Sequence, residues 1–445
     1  MQLFFTLLFL LTIFLFFRKI SWGIFLYILI CFLVPTLSVS YLGPNFKWAF
    51  FNIFLLVSLY LYAKKNGASI YIQPIKPFIY LFFFYLCVIP FQFSTPYSFQ
   101  LSSWIGQFLR YFILPMAVSS LFYLKINKKC DINIKILDYA MYMAIAIACI
   151  YGILLIFLDG FNPYLFFMLQ DKDDVERLLG EYTQAEGRLF GRIFSVFHHP
   201  MTFGVFLISS FSFSLHKLLI NEDKKIVLIL LLLILVNAVT CGVRSVIGGV
   251  LVAIISFILL NKKAKYLWFV ILGGIVGVII ISMDETLWNY VASIFSSDSK
   301  SDIQGSSINQ RIRQFLGCLD EISSNPLFGK GYSWNSYYET VIGFHPVILA
   351  FESLIFIVIC NWGILGIIAW GFFLLKIHSK NMKQHSKGID KFYMLEVYSI
   401  SYLSYVCITG DYAYTIYWML FYVYIYMDQI YHFKKINNFS GNINK

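Results

Sequence analysis

Charged residues are scarce in this sequence. Only 13% of its 445 residues are Asp, Glu, Lys or Arg, whereas 59% are apolar and the mean hydropathy is +0.74. Soluble domains carry about 25% charged residues and cannot hide this much apolar surface. The composition therefore excludes a soluble globular protein and indicates a chain surrounded mainly by lipid.

Several motifs of common enzymes are also missing. The sequence has no GxSxG turn, no P-loop and no HExxH zinc motif. Its eight cysteines are scattered and form no CxxC pair, which speaks against a disulfide framework and a zinc site. A hydrolase and an ATP-driven pump are therefore unsupported.

Thirteen apolar segments are long enough to cross a membrane, since a span needs about 20 apolar residues and somewhat fewer where flanking side chains reach the headgroups. They predict an all-α, polytopic integral membrane protein with about 12–13 transmembrane helices, forming a single membrane domain over 1–445. The segment 346–377 is long and contains Asn361-Trp362-Gly363, so we expect it to be tilted or broken. The segments lie near 2–17, 20–40, 47–63, 77–93, 101–123, 136–158, 199–220, 226–241, 243–260, 266–283, 346–377, 392–408 and 412–430.

The net charge of +11 follows from where the lysines and arginines lie. Most of them fall in alternate connections between the segments, whereas the opposite connections are short or acidic. This positive-inside pattern places the N-terminus outside and the C-terminus in the cytoplasm. The membrane topology thus explains the excess of basic over acidic residues, and we expect no nucleic-acid partner. The basic connections are at 18–19, 64–65, 124–135, 221–225, 261–265, 376–391 and 434–435.

The same topology places two substantial loops outside, at 159–198 and 284–345. Such loops exceed what a connection needs and are usually functional or disordered. In the second loop, apolar residues at helical spacing predict an amphipathic helix near 308–323, lying on or between the spans. Its apolar positions are Ile308, Ile312, Phe315, Leu316, Leu319 and Ile322.

Basic and titratable residues precede a helix that opens with Pro200, a residue suited to the first helical turn. They are Arg192, His198 and His199. The helix N-terminus offers free N–H groups and the positive end of a dipole, so these side chains lie beside a natural anion site. The alternative is that they anchor the chain to lipid headgroups.

Three further arginines fall on the predicted external side. Arg244 occupies a very short turn between two spans, and Arg311 and Arg313 lie in the first turn of the predicted amphipathic helix. Cations at a helix N-terminus oppose its dipole, so a nearby anion explains this pair better than helix stability does. Anchoring of a helix end by Arg244, and solvation of the other two, are the alternatives.

A histidine closes the second external loop. His345 is followed by Pro346, and Glu352 comes seven residues later, about two helical turns down the same face. A histidine at this entrance, above a buried carboxylate, could act as a general base, or the pair could satisfy polar groups in the bundle. The acidic run at 171–174 has the spacing of a DxD metal motif, but its mixed-charge context indicates a solvated loop.

Four motifs follow one another over roughly 185–370. They are Arg192 with His199-Pro200, Val243-Arg244-Ser245, Arg311 or Arg313 through Phe315 to Pro326, Gly329 and Gly331, and His345 with Glu352 and Gly363-Ile364-Leu365-Gly366. Their order and predicted sidedness resemble the O-antigen ligase and O-antigen polymerase superfamily of bacterial surface-polysaccharide assembly.

The resemblance implies a membrane glycosyltransferase of the bacterial cytoplasmic (inner) membrane, with its active site on the periplasmic side. Such an enzyme moves an oligosaccharide from undecaprenyl pyrophosphate to a sugar hydroxyl. It implies that His345 is the catalytic base, supported by Glu352 and His199. The pyrophosphate ligands would be Arg192, Arg244, Arg311 and Arg313. Because the donor is pre-activated, we expect no metal, nucleotide or other cofactor. The implied partners are the lipid-linked oligosaccharide, the bilayer, and the flippase and chain-length regulator of the same pathway.

Three functions remain open at this point. The first is a polymerase that extends repeat units of O-antigen, capsule or exopolysaccharide on the lipid carrier. The second is a ligase that transfers finished glycan to a lipid A core or to a protein. The third, of another class, is a flippase for lipid-linked sugars. A flippase should carry cations along a central pathway, whereas the candidate cations here collect on the predicted external side.

The predicted topology can be tested by cysteine labelling in a cysteine-free variant. Ser299→Cys should react with a membrane-impermeant thiol reagent added to spheroplasts, because the lysine distribution places 284–345 outside. The control Lys128→Cys, in the predicted cytoplasmic connection, should react only after lysis. Protection of Ser299→Cys in intact spheroplasts would overturn the topology and the functional argument with it.

Overall fold

The structure is a computed structural model. It describes residues 2–34, 48–158, 161–168, 193–197, 199–266, 268, 271–272, 308–409 and 416–443. Most of the predicted loop 159–198, the first part of the predicted loop 284–345 (284–307) and most of the predicted span at 266–283 lie outside the described residues.

Within these ranges the fold consists of α-helices and short 3₁₀ turns, with one isolated bridge between His345 and Leu349. The helices, in chain order, are α1 (Gln2–Arg18), α2 (Ile20–Leu33), α3 (Trp48–Lys65), α4 (Lys76–Val88), α5 (Tyr97–Tyr111), α6 (Ile113–Ile126), α7 (Lys135–Ile156), α8 (Pro163–Met168), α9 (Pro200–Leu219), α10 (Lys224–Thr240), α11 (Arg244–Leu260), α12 (Ile308–Glu321), α13 (Trp334–Val341), α14 (Leu354–Ser386), α15 (Met394–Thr409) and α16 (Ile416–Ile443).

Five helical segments of the described chain are long and apolar enough to cross a membrane. They are Gln73–Phe91, Tyr97–Ile126, Lys135–Ile156, Pro200–Leu219 and Leu354–Ser386. The predicted class, an all-α polytopic membrane protein, is confirmed. The number of about 12–13 spans stays a prediction.

Helix α16 occupies the centre of the bundle. Its side chains from Tyr417 to Met427 are all buried, and it packs against α6, α9 and α15. Aromatic rings fill much of this core; Trp418, for example, stacks on Tyr402 with ring centroids 4.9 Å apart. The core therefore depends on the last described helix of the chain.

The long helix α14 is broken at Gly363, where φ is 59° and ψ is −151°. The break falls within Asn361-Trp362-Gly363, the segment from which we expect 346–377 to be tilted or broken. A glycine is required because a side chain disfavours this positive φ. A break inside a membrane helix also frees backbone N–H and C=O groups, which must find partners within the protein.

The loop 325–331 supplies those partners. Four backbone hydrogen bonds join it to the break, two in each direction, so that two stretches of non-helical backbone satisfy each other. The bonds run from Lys330 N to Cys360 O (2.8 Å), from Gly331 N to Asn361 O (3.2 Å), from Ile364 N to Pro326 O (2.9 Å) and from Leu365 N to Leu327 O (3.1 Å).

Close packing explains the glycines of this loop. At Gly329, where φ is 69°, a Cβ atom would lie 2.7 Å from the Cys360 carbonyl oxygen and from the Gly363 nitrogen. The buried side chain of Gln92 closes the joint, because its Nε2 donates to the carbonyls of Phe328 (2.5 Å) and Asn361 (2.7 Å). The Pro-x-x-Gly-x-Gly pattern is thus a loop that docks into a broken helix.

The start of α14 differs from the prediction. The sequence places a span at 346–377 with Glu352 two turns below His345 on one helix, but the helix begins at Leu354, capped by the Ser353 side chain. The preceding residues form turns, with positive φ at Leu349 (60°) and Phe351 (48°). The predicted helical alignment of His345 and Glu352 is therefore wrong. Non-glycine residues in this conformation cost on the order of 1–3 kcal/mol each, so the surrounding contacts must hold the segment.

Helix α12 turns its apolar face away from the bundle. Ile312 and Leu316 are about half exposed in the described structure, whereas Gln314, Gly317 and Cys318 are buried. An interfacial helix with its polar stripe inward and its apolar stripe toward lipid has this pattern.

The lysine-rich connections contact one another. The Nζ atom of Lys129 donates to the Gly67 carbonyl (2.5 Å), and that of Lys380 donates to the carbonyls of Gln73 (2.7 Å) and Pro74 (2.6 Å). These groups belong to or adjoin the connections at 64–65, 124–135 and 376–391. Their shared location at one end of the bundle is what the predicted topology requires.

Gly363→Ala tests the dependence of the fold on the joint between α14 and the loop 325–331. A Cβ there would crowd the Pro326 carbonyl and would require a positive φ of an alanine. We expect a loss of more than about 2 kcal/mol, measured as a lower melting temperature in detergent. The control Gly371→Ala, on the same helix with open space around it, should melt like the wild type. Equal melting of both variants would contradict the proposed joint.

Candidate functional site

The polar face of α12 lies along the turn segment 345–352, which runs in the opposite direction. Arg311 near the start of the helix contacts Glu352, and Glu321 at its end contacts His345. Between them, a Cβ at Gly317 would lie 2.7 Å from the Val347 side chain, so this side chain packs directly on the glycine. These contacts extend over ten helix positions, about 15 Å at the usual rise. They define the site described below.

Arg311 holds one end of this arrangement. Its Nη2 lies 3.0 Å from Glu352 Oε2, and its Nη1 donates to the Glu352 carbonyl (2.8 Å) and to Gln314 Oε1 (3.2 Å). Burial lowers the pKa of Arg311, and the Glu352 charge opposes this effect. The guanidinium is therefore fixed in direction, and 22% of the side chain stays exposed for a further anionic ligand.

His345 holds the other end, and both of its ring nitrogens are engaged. Nδ1 accepts from the backbone N–H groups of Val347 (3.1 Å) and Ile348 (2.9 Å), so this nitrogen carries a lone pair. Nε2 faces Glu321 Oε1 at 3.2 Å and acts as the donor, because a neutral imidazole has its proton on the nitrogen that does not accept. The hydrogen bonds thus define the tautomer.

Glu321 is shared between two partners. Its Oε1 accepts from His345, and its Oε2 lies 3.3 Å from the Nζ of Lys330, in the loop that docks into α14. The carboxylate therefore links three elements: the end of α12, the turn segment and the docking loop. Neither Glu321 nor Lys330 was singled out from the sequence. Two sequence features could have pointed to them: the acidic pair Asp320-Glu321 at the end of the predicted amphipathic helix, and Gly329-Lys330-Gly331 in the following loop.

Aromatic rings enclose the His345 imidazole. The ring centroid of Tyr338 lies 5.0 Å away, that of Phe351 5.9 Å and that of Trp334 6.4 Å. Beside Tyr338, burial raises the pKa of Glu339 to about 7. The imidazole is thus shielded from water. A second carboxyl group near the site, that of Glu339 on α13, has a raised pKa.

The remaining predicted residues are placed as follows. His199 caps α9, where its Nδ1 accepts from Met201 N at 3.2 Å. Arg244 is the first residue of α11 and is half-buried, and Arg313 is exposed. Arg192, His198 and the acidic run at 171–174 lie outside the described residues.

The described candidates share one end of the bundle. The Tyr405 hydroxyl donates to the Met201 carbonyl (2.8 Å), which joins the start of α9 to the end of α15. Two residues further along α15, the Cys407 carbonyl accepts from Ser353 Oγ (2.7 Å) at the start of α14. The starts of α9 and α14, with their histidines and Glu352, therefore meet at the end of α15.

A second polar cluster lies near the opposite, lysine-rich end. The fully buried Nζ of Lys217 contacts Asp138 (2.6 Å), Asp428 (2.9 Å) and Glu222 (3.1 Å). His432 lies 3.3 Å from Glu222. Glu222, Asp428 and His432 are spaced like metal ligands, but the Lys217 ammonium bonds both carboxylates and would repel a cation. The cluster is best explained as a structural ion-pair network.

The fold and these contacts define a helical membrane protein with a charged site beside a broken helix. Residues 229–371 match the family described as O-antigen ligase. This match confirms the resemblance to the O-antigen ligase and polymerase superfamily predicted from the motifs. The matched region includes Arg244, α12, the docking loop, the turn segment and the break in α14. A comparison of the chain with curated proteins found no match.

Glu222 allows a test of the Lys217 network by pH. Contact with His432 and the charge of Lys217 lower the pKa of Glu222 to about 2, against the opposing effect of burial. A depressed pKa stabilises the fold above the unfolded value, and this contribution disappears as pH falls toward the folded value. Glu222→Gln should therefore melt below the wild type at pH 7, and the difference should shrink below about pH 4. The neighbouring Asp223→Asn is the control; a gap independent of pH would contradict the linkage.

Proposed function

We propose that the protein is a polymerase of lipid-linked oligosaccharide repeat units in O-antigen, capsule or exopolysaccharide assembly. It transfers glycan from undecaprenyl pyrophosphate to a sugar hydroxyl at the external face of the cytoplasmic membrane, without metal or nucleotide. The proposal is carried by one observation: in the region matched by the O-antigen ligase family, an arginine–carboxylate pair and an imidazole–carboxylate pair lie along the same face of α12.

The chemistry of the reaction fits these groups. Departure of a pyrophosphate develops negative charge, which guanidinium groups neutralise with paired hydrogen bonds. In the proposal Arg192, Arg244, Arg311 and Arg313 supply this charge. An attacking hydroxyl must lose its proton, and the proposed centre for that transfer is His345 with its bonded partner, at the other end of α12 from Arg311 and its supporting Glu352. His199 supports the start of α9.

The Lys217 cluster, at the lysine-rich end of the bundle, favours an enzyme over a flippase. A flippase for pyrophosphate-linked sugars needs available positive charge along a central path. Lys217 is the buried cation of the described bundle that comes nearest to this, yet three carboxylates contact it directly. It therefore offers no net positive charge to an anion, whereas the described arginines of the site include the exposed Arg313.

The glycan profile of a deletion strain separates the two enzyme functions. A polymerase mutant keeps a single repeat unit and loses the ladder of longer chains. A ligase mutant accumulates long glycan that is not attached to its acceptor, and this outcome would replace our proposal with the ligase. For the purified protein we expect elongation of lipid-linked repeat units, extracted from the deletion strain, in EDTA and without ATP. Transfer that requires a divalent metal would overturn the metal-independent part.

Arg311→Lys tests pyrophosphate binding. Lysine keeps the charge but loses the planar fork, so we expect a loss of about 1.5–3 kcal/mol of interaction, roughly ten- to a hundredfold in transfer rate. Arg244→Lys should behave similarly.

Two matched variants complete this test. Glu352→Gln keeps an acceptor oxygen and the backbone bond to Arg311, so it should lose much less activity than Arg311→Lys. Arg18→Lys, at the end of α1, should have no effect. Full activity of Arg311→Lys in a normally inserted protein would remove Arg311 from the donor site.

A further inference from the structure

We infer that Glu321 is the proton acceptor of the transfer reaction, and that His345 is the positioning residue that aims it. This inference rests on the proposed function and specifies which group at the site takes the proton. It follows from three observations: the hydrogen bonds of the imidazole, the exposure of the two side chains and the attachment of Glu321 to Lys330.

The imidazole has no nitrogen left to accept a proton from a substrate. Its Nδ1 lone pair already receives the N–H groups of Val347 and Ile348, in the manner of a cap that holds the turn. Its Nε2 carries the proton and donates it to Glu321. A general base must reach the substrate proton with a free lone pair. In this geometry the Glu321 carboxylate has such a lone pair and the imidazole does not.

The exposed fractions of the two side chains also favour Glu321 over His345 as the proton acceptor. The His345 side chain is 5% exposed and enclosed by aromatic rings, whereas the Glu321 side chain is 31% exposed. A sugar hydroxyl can therefore approach the carboxylate without any rearrangement of the turn segment. A carboxylate oxygen has two lone pairs, so Glu321 can accept from a hydroxyl while keeping the bond from His345.

The partners of Glu321 orient it as a base requires. His345 donates to Oε1, and the Lys330 ammonium lies 3.3 Å from Oε2, so the carboxylate is held from both sides. Lys330 is itself fixed, because its backbone N–H bonds the Cys360 carbonyl at the break in α14. The break thus positions the proton acceptor through Lys330, and the turn segment positions it through His345.

The step balances as follows. The hydroxyl oxygen of the acceptor sugar forms a bond to the anomeric carbon of the donor sugar, while the bond from that carbon to the pyrophosphate oxygen breaks. The electron pair of the broken bond leaves with the lipid pyrophosphate. Glu321 takes the hydroxyl proton, becomes a neutral carboxyl group and returns the proton to water. Carboxylates take the same part in glycosidases that activate an attacking water.

The test compares two glutamine substitutions in the full-length protein in liposomes. The donor is the lipid-linked repeat unit extracted from a deletion strain, and donor affinity and the single-turnover rate of transfer are measured separately. Glu321→Gln should bind donor normally but transfer it at least about a hundredfold more slowly. His345→Gln keeps an N–H that can donate to Glu321, so its transfer rate should stay within about tenfold of wild type.

Two further variants close the remaining alternatives. Glu339→Gln removes the nearby carboxyl with the raised pKa and should leave transfer within about tenfold. Glu321→Asp keeps the carboxylate but draws it back, so it should bind donor normally and transfer it more slowly than wild type, and this result decides the matter if Glu321→Gln does not insert. The inference is overturned if Glu321→Gln transfers within about tenfold of wild type while His345→Gln or Glu339→Gln is at least about a hundredfold slower. Absence of transfer by the wild type would instead refute the proposed function.

Discussion

The hydrogen bonding between a broken helix and a loop determines how the rest of the site is arranged. At Gly363 the helix α14 gives up its own backbone bonds, and the loop 325–331 replaces them from both directions. Unpaired backbone groups are unfavourable by several kcal/mol each inside a membrane, so undocking of the loop from α14 would require a large free energy. Everything attached to the loop, including Lys330 and the helices before and after it, is thereby fixed against α14.

This constraint explains how external segments can be precise. Loops are usually the most mobile parts of a protein, and catalytic groups need placement to within a fraction of an ångström. Here the helix α12 is secured at both ends, through Arg311 to Glu352 and through Glu321 to His345. The strained turns at Leu349 and Phe351 lie between these two anchors. Strain of this kind persists only where surrounding contacts over-determine the backbone.

The sequence predicts the architecture better than the pairing of side chains. The length of the apolar segments and the distribution of lysines are sufficient to predict a helical membrane protein. The Asn361-Trp362-Gly363 segment indicates a helix that is either tilted or broken, and the structure shows the break. The partner of His345 could not be derived, because it comes from a helix that ends 24 positions earlier. The assumption of continuous helix after Pro346 led to Glu352 instead. Left-handed turns at Leu349 and Phe351 carry no glycine signal, so periodicity cannot detect them. Lys330 and Glu321 owe their proximity to docking of a loop, which is a tertiary event.

The Lys217 network has a consequence for biosynthesis. Its members enter the membrane at different times: Asp138 with α7, Lys217 with α9 and Asp428 only with α16, the last described helix. Before α16 docks, Lys217 already faces Asp138 and Glu222, and α16 then brings Asp428 to the same cation. A shift of α16 along its axis would separate this buried carboxylate from the cation, which is costly inside a membrane protein. The network therefore fixes the register in which the last described helix docks against helices made much earlier.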